Sequence, residues 1–520
     1  MSASEHHEHR AFLEQNPEIV TLLARAQKRN GGTTVKLQTK PQPAAATKSE
    51  TTDVAEFETT DVGNAARFVA QFGCDFRWSS ARGAWLTWDG RRWAPDERLR
   101  VERCAKAIAK AIFDEARDAT GKRQERLAKW AITSQRRERI LATTYLARCE
   151  LAARPSDFDS DSWAFNLANG TLDLRTGQLR PHRREDLLTK ISPVEFDPAA
   201  KAPRFDAFMR EIFADDESLI RYLQKFLGHC LTGDISEQTM PVWYGVGANG
   251  KSTLEDAVRY AMGDYADVAP PDLLLQRHND EHPAELADLM GKRLVIASEA
   301  EKSRRLRVQL MKRLTGDRTL KARFMRENYF AFERTFKVVL ITNNRPRVDE
   351  DSEAVWRRLR LIPFNVVIPL ERRDANLGDK LKQEAAGILN WLLAGCLAWQ
   401  RERLGEPPAV AQATAVYRES CDPLADFLKD CCVLVPAAWV DSDRLRAEYG
   451  RWANEQGEQP VSGRDFSDLL RRRGCTPQRR HSGRGWLGIG LLSPDSGTEC
   501  NAGVTPLEKP VTEDKGVAEP

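Results

Sequence analysis

The spacing of apolar positions changes repeatedly along the chain, and each change predicts a different element. Residues 1–28 place Phe12, Leu13, Ile19, Leu22 and Leu23 as in one amphipathic helix, and the polar, turn-rich stretch "GGTTVKLQTKPQPAAATKSETTDVAEFETT" reads as a flexible linker. Order begins near Asp61. "DVGNAARFVAQFGCDFRWSSARGAWLTWDGRRWAPD" predicts a short helix and then a β-meander, with Trp78, Trp85, Trp88 and Trp93 forming a small β core, the reading favoured over aromatics that stack bases, and Trp88-Asp-Gly90 a turn. Residues 100–150 read as helical. The apolar positions of "CAKAIAKAIFDEA" share one face, and the Arg and Lys opposite form a solvated basic face that a nucleic acid could also contact.

"FNLANGTLDLRTGQLRPHRREDLLTK" (165–190) sets short strands between Asn-Gly and Thr-Gly turns, and residues 203–233 return to helix through Phe208, Ile212, Leu219, Tyr222, Leu223 and Phe226. From Thr239 to about Pro369 strand and helix signals alternate, the mark of an α/β layer. A helical stretch covers 376–404 and "GEPPA" ends it. Helices are expected around 424–431, 441–455 and 463–473, and "GRGWLGIGLL" closes this last unit as a glycine-flanked strand pair, suggesting a winged helix. The expected organisation is a helix and linker (1–58), an α+β domain (59–235), an α/β core (236–370), a helical extension (371–415), a winged-helix domain (416–492) and a disordered tail (493–520).

Composition narrows the setting. The 520 residues exceed one compact core, and a net charge of +3 makes no global basic field, so any nucleic-acid surface must be local. Arg471, Arg472 and Arg473, followed by Arg479, Arg480 and Arg484, are the strongest local cationic run. Ten cysteines lack metal-ligand spacing and read as reduced thiols. No apolar run approaches a membrane span and the N-terminus lacks a signal-peptide pattern, so a soluble cytoplasmic protein without membrane contact is expected.

The chemistry concentrates in "VWYGVGANGKSTLEDAVRY". Residues 245–252, Gly-Val-Gly-Ala-Asn-Gly-Lys-Ser, fit G-x-x-x-x-G-K-[ST] at a strand-to-helix junction. Glycines there let backbone N–H groups close around an anion at a positive helix end, Lys251 adds a cation, and Ser252 offers a hydroxyl to Mg²⁺. The buried-strand run Leu294 to Ala297 precedes Glu299 and Glu301, which alternation along an extended chain would put on one face to hold Mg²⁺ and polarise water; Glu301 also suits a solvated turn. "TFKVVLITNN" ends in Asn343-Asn344, an amide pair able to position water at a strand tip. "DSEAVWRRLRLIPF" places Arg357 and Arg358 beside Trp356, as guanidinium groups for a neighbour's γ-phosphate. Successive separations of 48, 44 and 14 residues connect Lys251, Glu299, Asn343 and Arg357.

That order resembles a superfamily 3 helicase of AAA+-like type. The wider chain resembles the phage- and plasmid-type primase–helicases related to the poxvirus helicase–primase, through "GNAARFV", "WLTWDGRRW", "NLANGTLDLRTGQL", "LQKFLGHCLTGDISEQ", "GANGKST", "RLVIASE", "LTGDRTLKARFMREN" and "WRRLRLIPF". "DSDRLRAEYGRWANEQG" resembles the family's C-terminal winged helix. The resemblance implies an α/β P-loop core, an α+β domain before it and a winged helix after it. It implies ATP and Mg²⁺ as cofactors, with Gly245, Val246, Gly247, Ala248, Asn249, Gly250, Lys251, Ser252 and Thr253 on the phosphates, Ser252 and Glu299 on the metal, and Asn343 as the sensor amide. Arg357 or Arg358 would reach across a subunit boundary, while Lys321, Arg323 and Arg326 would lie on a hairpin gripping single-stranded DNA.

Two departures stand out. Ala300 separates Glu299 from Glu301 where many relatives have adjacent acids, and only about 60 mostly polar residues precede the first shared motif, too few for a primase core. The expected function is therefore an ATP-dependent replicative helicase of a phage, plasmid or integrated element. It would act as a homo-hexamer on single-stranded and origin DNA, with a separate primase and other replication proteins as further partners. A bifunctional primase–helicase and an ATP-switched origin-binding protein that does not unwind are the alternatives.

Overall fold

The computed structural model describes residues 57–492 apart from 271–272, 277–282, 299–304, 324–328, 423, 457–459 and 482. The N-terminal helix, the linker as far as residue 56 and the tail fall outside the described residues.

Helix α1 (Asp61–Phe72) starts where Thr60 caps it, its hydroxyl accepting from the Gly63 amide at 3.0 Å. The meander follows as β1 (Phe76–Ser79), β2 (Ala84–Trp88) and β3 (Trp93–Pro95), with Asp89 accepting two backbone amides in the Trp88-Asp-Gly90 turn. Trp93 is fully buried and lies 6.0 Å from Trp88 between ring centres, and Trp78 lies 5.4 Å from Trp85. The expected single tryptophan core is corrected to two pairs: Trp88 and Trp93 are buried with Leu86, whereas Trp85 packs half-buried on the helical core and Trp78 is half-buried beside it. Helices α2 (Arg100–Asp118), α3 (Gly121–Ser134) and α4 (Arg137–Glu150) share one apolar core with α1, α4 lying mainly on α1 and α3 on α2, and β4 (Ala152–Ala153) adds a parallel strand beside β1.

Strands β5 (Ala164–Leu167), β6 (Gly170–Asp173) and β7 (Gln178–Arg180) form an antiparallel sheet. The helical pattern of 203–233 resolves into α5 (Pro203–Phe213) and α6 (Glu217–His229), because Ala214 and Asp215 adopt φ of +49° and +58°, which no α-helix continues through.

The central sheet is parallel, ordered β14-β8-β13-β10-β9, with β8 (Met240–Tyr244), β9 (Ala266–Val268), β10 (Leu294–Ser298), β13 (Lys337–Thr342) and β14 (Leu359–Pro363). Its strands are nearly continuous apolar runs because both faces are covered. Trp243, Ile296, Val339 and Ile362 point into one core, and Val242, Val295, Leu340 and Leu361 into the other, as two-residue alternation requires. Helix α7 (Lys251–Met262) covers the first face, and α8 (Val308–Gly316) the second. Between α8 and β13 a separate hairpin emerges, β11 (Thr319–Ala322) with β12 (Phe330–Glu333).

Helices α9 (Leu377–Gln383) and α10 (Ala385–Glu402) return to the first face. Backbones of α6 and α10 almost touch: a Cβ on Gly228 would lie 2.2 Å from the Cys396 nitrogen, and one on Gly395 would lie 1.9 Å from the Gln224 carbonyl oxygen. The first core therefore runs without interruption from Phe165 through Leu223 and Trp243 to Leu392, across the domain boundary expected at residues 235 and 236.

Helix α11 (Pro408–Ser420) packs Tyr417 on the second face. A small C-terminal unit follows, with α12 (Ala425–Cys431), β15 (Cys432–Val433), β16 (Trp439–Asp441), α13 (Ser442–Glu455), α14 (Gly463–Arg472), β17 (Thr476–Arg480), β18 (Gly483–Leu487) and β19 (Gly490–Leu491). The expected helices are present. The strand pair read in "GRGWLGIGLL" is corrected: β18 pairs with β16 and β17, whereas β19 pairs with β15. Gly488, at φ +96°, turns the chain between the two sheets.

Candidate nucleotide site and nucleic-acid interface

The glycine-rich loop leaves β8 at Tyr244 and enters α7 at Lys251, as its motif predicts. Gly247, Ala248 and Gly250 have φ of +105°, +52° and +83°. A side chain at Gly250 would meet Ile212 Cγ2 at 2.6 Å and the Phe208 ring at 3.0 Å, so the loop sits directly on α5. The segment after β14 braces it from the other side. Ile368 N–H donates to the Ala248 carbonyl at 2.8 Å, and Asn249 Nδ2 donates to the Phe364 carbonyl at 3.0 Å.

Lys251 is 5% exposed, and its ammonium donates to the Gly245 carbonyl at 2.6 Å and to Asn249 Oδ1 at 3.0 Å. Both acceptors are neutral, and burial lowers the pKa of the amine. A buried cation held by neutral groups beside a loop of turned amides fits an anion such as a nucleotide phosphate. Ser252 is exposed and Thr253 half-buried at the first turn of α7, while Val246 projects into solvent. A cavity of about 750 Å³ opens beside Ala248, Gly250 and Thr253 and extends to Arg259, Tyr260 and Arg372.

Strand register brings the other expected groups to this edge. Thr342 lies opposite Tyr244, so Asn343 follows β13 beside the start of the glycine loop, and its side chain is exposed. The Thr342 hydroxyl accepts from the Asn344 amide at 3.0 Å, which fixes the turn. Ser298 lies opposite Ile341 at the end of β10. Glu299 and Glu301, the expected metal and base carboxylates, lie outside the described residues.

Arg357 and Arg358 part company. Arg357 is exposed at the end of a helical turn, Glu353–Trp356, whereas Arg358 is 9% exposed and its Nη1 donates to the Ala354 carbonyl at 2.6 Å. Burial lowers the Arg358 pKa, with the neighbouring Arg357 charge acting in the same direction. Arg345, unremarked in sequence, lies with its guanidinium 4.6 Å from the Tyr244 ring centre; its two-residue offset from Asn343 in "TNNRPR" is the signal that could have found it.

On the hairpin, Lys321 of β11 is exposed opposite Ala331, and Arg323 lies 5.2 Å from the Tyr329 ring centre beyond the last pair. Tyr329 is 62% exposed. Arg326 lies outside the described residues.

The C-terminal arginines are less available than their sequence suggests. Arg471 pairs with Asp468 at 2.8 Å, Arg472 with Asp351 at 3.0 Å, and Arg473 forms an ion pair with Asp422. Asp351 also accepts from Arg418 at 2.7 Å, and these two guanidinium partners hold its carboxyl below its usual pKa. Arg479, Arg480 and Arg484 remain exposed on the β17–β18 hairpin. Among the described residues no helix is long and apolar enough to cross a membrane.

Residues 65–214 match the family described as D5 N terminal like, and residues 243–358 match a family of unknown function, DUF5906. The chain is 29% identical over 302 residues to "Putative helicase L207/L206" of Acanthamoeba polyphaga mimivirus, covering 54% of this chain and 31% of that protein. It is 23% identical over 384 residues to "Putative helicase 022R" of Frog virus 3, covering 57% and 39% respectively. With "Putative primase C962R" of African swine fever virus it shares 24% over 324 residues, 57% of this chain and 34% of the other. The chain thus spans 31% to 39% of the length of these three relatives. Among solved structures, the NrS-1 C terminal region (305-718) is similar at 12% identity and a TM-score of 0.38, covering 60% of this chain and 88% of the other.

Proposed function

We propose that this chain, which is similar to putative helicases and primases of large DNA viruses, is an ATP-dependent DNA helicase of superfamily 3 type, acting during replication initiation. The observation that carries the reading is the sheet edge where buried Lys251, exposed Asn343 and the end of β10 converge. The strand order β14-β8-β13-β10-β9 supports an AAA+-like core, because the loop-bearing strand lies between the last strand and the sensor strand. The cavity beside Thr253 has the size expected for a nucleoside site.

ATP with Mg²⁺ supplies the phosphoanhydride whose cleavage drives the machine. In this reading the loop amides and Lys251 bind the phosphates, Ser252 and Glu299 hold the metal, and Asn343 orients water. Arg357 offers its charge to the nucleotide of a neighbouring protomer, which makes a ring, expected to be hexameric, a functional requirement. The β11–β12 hairpin carries Lys321 and Arg323 to the backbone of one DNA strand, and the C-terminal unit acts as a winged helix on origin DNA or a partner.

Lys251→Ala should lose ATP turnover at least about a hundredfold, since the cation at the phosphates is removed. A forked duplex with purified protein and ATP tests the motor: parental protein should displace the strand and the variant should not. Parental turnover in the variant would sink the site assignment. DNA-stimulated hydrolysis without displacement would instead favour an ATP-switched DNA-binding protein.

A further inference from the structure

Helix α3 and the turn behind it carry a cationic surface that the motor reading leaves unused. Residues 121–139 contain seven Lys and Arg against Glu125 and Glu138, a net +5 within a chain whose total is +3. The charge is ordered. At 100° per residue, Lys122, Arg126 and Lys129 fall within about 60° of one another, and they span roughly 10 Å along the axis. Leu127 and Ala131, on the opposite side, are 3% and 0% exposed, so packing fixes the row outward.

The three side chains make no hydrogen bond or ion pair among the described residues, whereas Arg471, Arg472 and Arg473 all meet carboxylates. The row lines a shallow groove together with Thr59, Trp130, Thr133 and one carboxylate, Glu125, which leaves the groove a net +2. Trp130 is anchored by its indole N–H to Asn64 Oδ1 at 2.9 Å, and Arg139 lies 5.5 Å from its ring centre, so the groove wall is fixed. Arg136 and Arg137 extend the exposed charge past the end of α3.

We propose that the α3 groove is a second, sequence-independent binding site for single-stranded DNA, contacting two to three phosphates apart from the hairpin and the C-terminal unit; this rests on the reading of the chain as a DNA motor. Unpaired cations in a row release counterions when they meet a phosphate backbone, and that release is the driving term. A groove with one aromatic wall and no matched base-edge donors selects for backbone rather than sequence.

The test is anisotropy of a labelled thirty-residue oligo(dT) titrated with the full chain at several salt concentrations. Lys122→Ala/Arg126→Ala/Lys129→Ala should weaken binding about tenfold or more at low salt and reduce the slope of log K against log salt by about 2, leaving DNA-free ATP turnover unchanged. Glu125→Lys should do the reverse, tightening binding and steepening the slope, and serves if the triple variant folds poorly. Parental affinity and slope in the triple variant, or in Glu125→Lys, would overturn the α3 site alone if Lys321→Ala still weakens binding. Absence of oligo(dT) binding by the parental protein would overturn both the α3 site and the motor reading.

Discussion

At the scale of single residues the adjacent arginines are the sharpest case, because sequence treats them alike. Arg357 is exposed, whereas Arg358 is buried against the Ala354 carbonyl, with Nη2 3.2 Å from where a Cβ on Gly316 would sit. Arg357→Ala should therefore leave the melting temperature within about a degree of the parent and still bind nucleotide, while losing turnover by about a thousandfold. Arg358→Ala removes a packed side chain and should cost roughly 2 kcal/mol of stability. Melting curves and nucleotide titrations on both variants check this, and equal loss of stability would refute the division of roles. What sequence showed at this scale was chemistry by type: a lysine after glycines, an amide after a buried strand. It did not show Asn249 as a strut that both accepts from Lys251 and donates to Phe364, because its partner is 115 positions away. Nor did it show that acids in other segments, Asp351 and Asp422, engage Arg472 and Arg473.

At the scale of elements, legibility followed the strength of the local pattern. The strands "LVIAS" and "KVVLIT" were readable because burial on both faces leaves no polar alternation to confuse them. Strand β17, "TPQRR", was not, because every residue in it is exposed and its place is set by pairing with β18. The break between α5 and α6 was hidden because alanine and aspartate, not glycine, take the left-handed turn. The junction of α6 with α10 carries its own consequence. His229 ends α6 fully buried, its ring centre 4.0 Å from that of Trp399 and Nε2 3.2 Å from Asp234 Oδ1. Burial, reinforced by the Lys337 charge, pushes its pKa from 6.5 down to about 4. Between those values the unfolded chain binds a proton that the folded chain refuses, so stability falls as pH drops through this window, by up to about 3 kcal/mol. Thermal melts from pH 7 to pH 4 should fall less steeply in His229→Phe, which keeps the stack and cannot titrate. Parallel slopes would show that the α6–α10 junction does not set acid sensitivity.

At the scale of the whole molecule the question is whether the proposed nucleotide site is completed by a second copy. Lys251 and Asn343 share one edge of the sheet, but Arg357 leaves it on the chain between that edge and β14, exposed rather than folded back on its own loop. On the proposed reading, a charge placed so serves a nucleotide across a boundary between protomers. Two separately inactive variants make this decidable. Lys251→Ala has no working phosphate site but an intact Arg357, and Arg357→Ala has the site without the guanidinium. If Arg357 acts on its own protomer, co-expressed mixtures stay as inactive as either variant. If it acts on a neighbour, an Arg357→Ala protomer followed in the ring by a Lys251→Ala protomer regains a full complement of groups. Random assembly at equal proportions makes that arrangement at about a quarter of positions, so mixed rings should recover about a quarter of parental turnover. Strand displacement need not return in proportion, because traction on DNA requires successive protomers to fire. Recovery of hydrolysis with little unwinding would therefore mark a machine whose chemistry is completed pairwise and whose movement is completed by the ring.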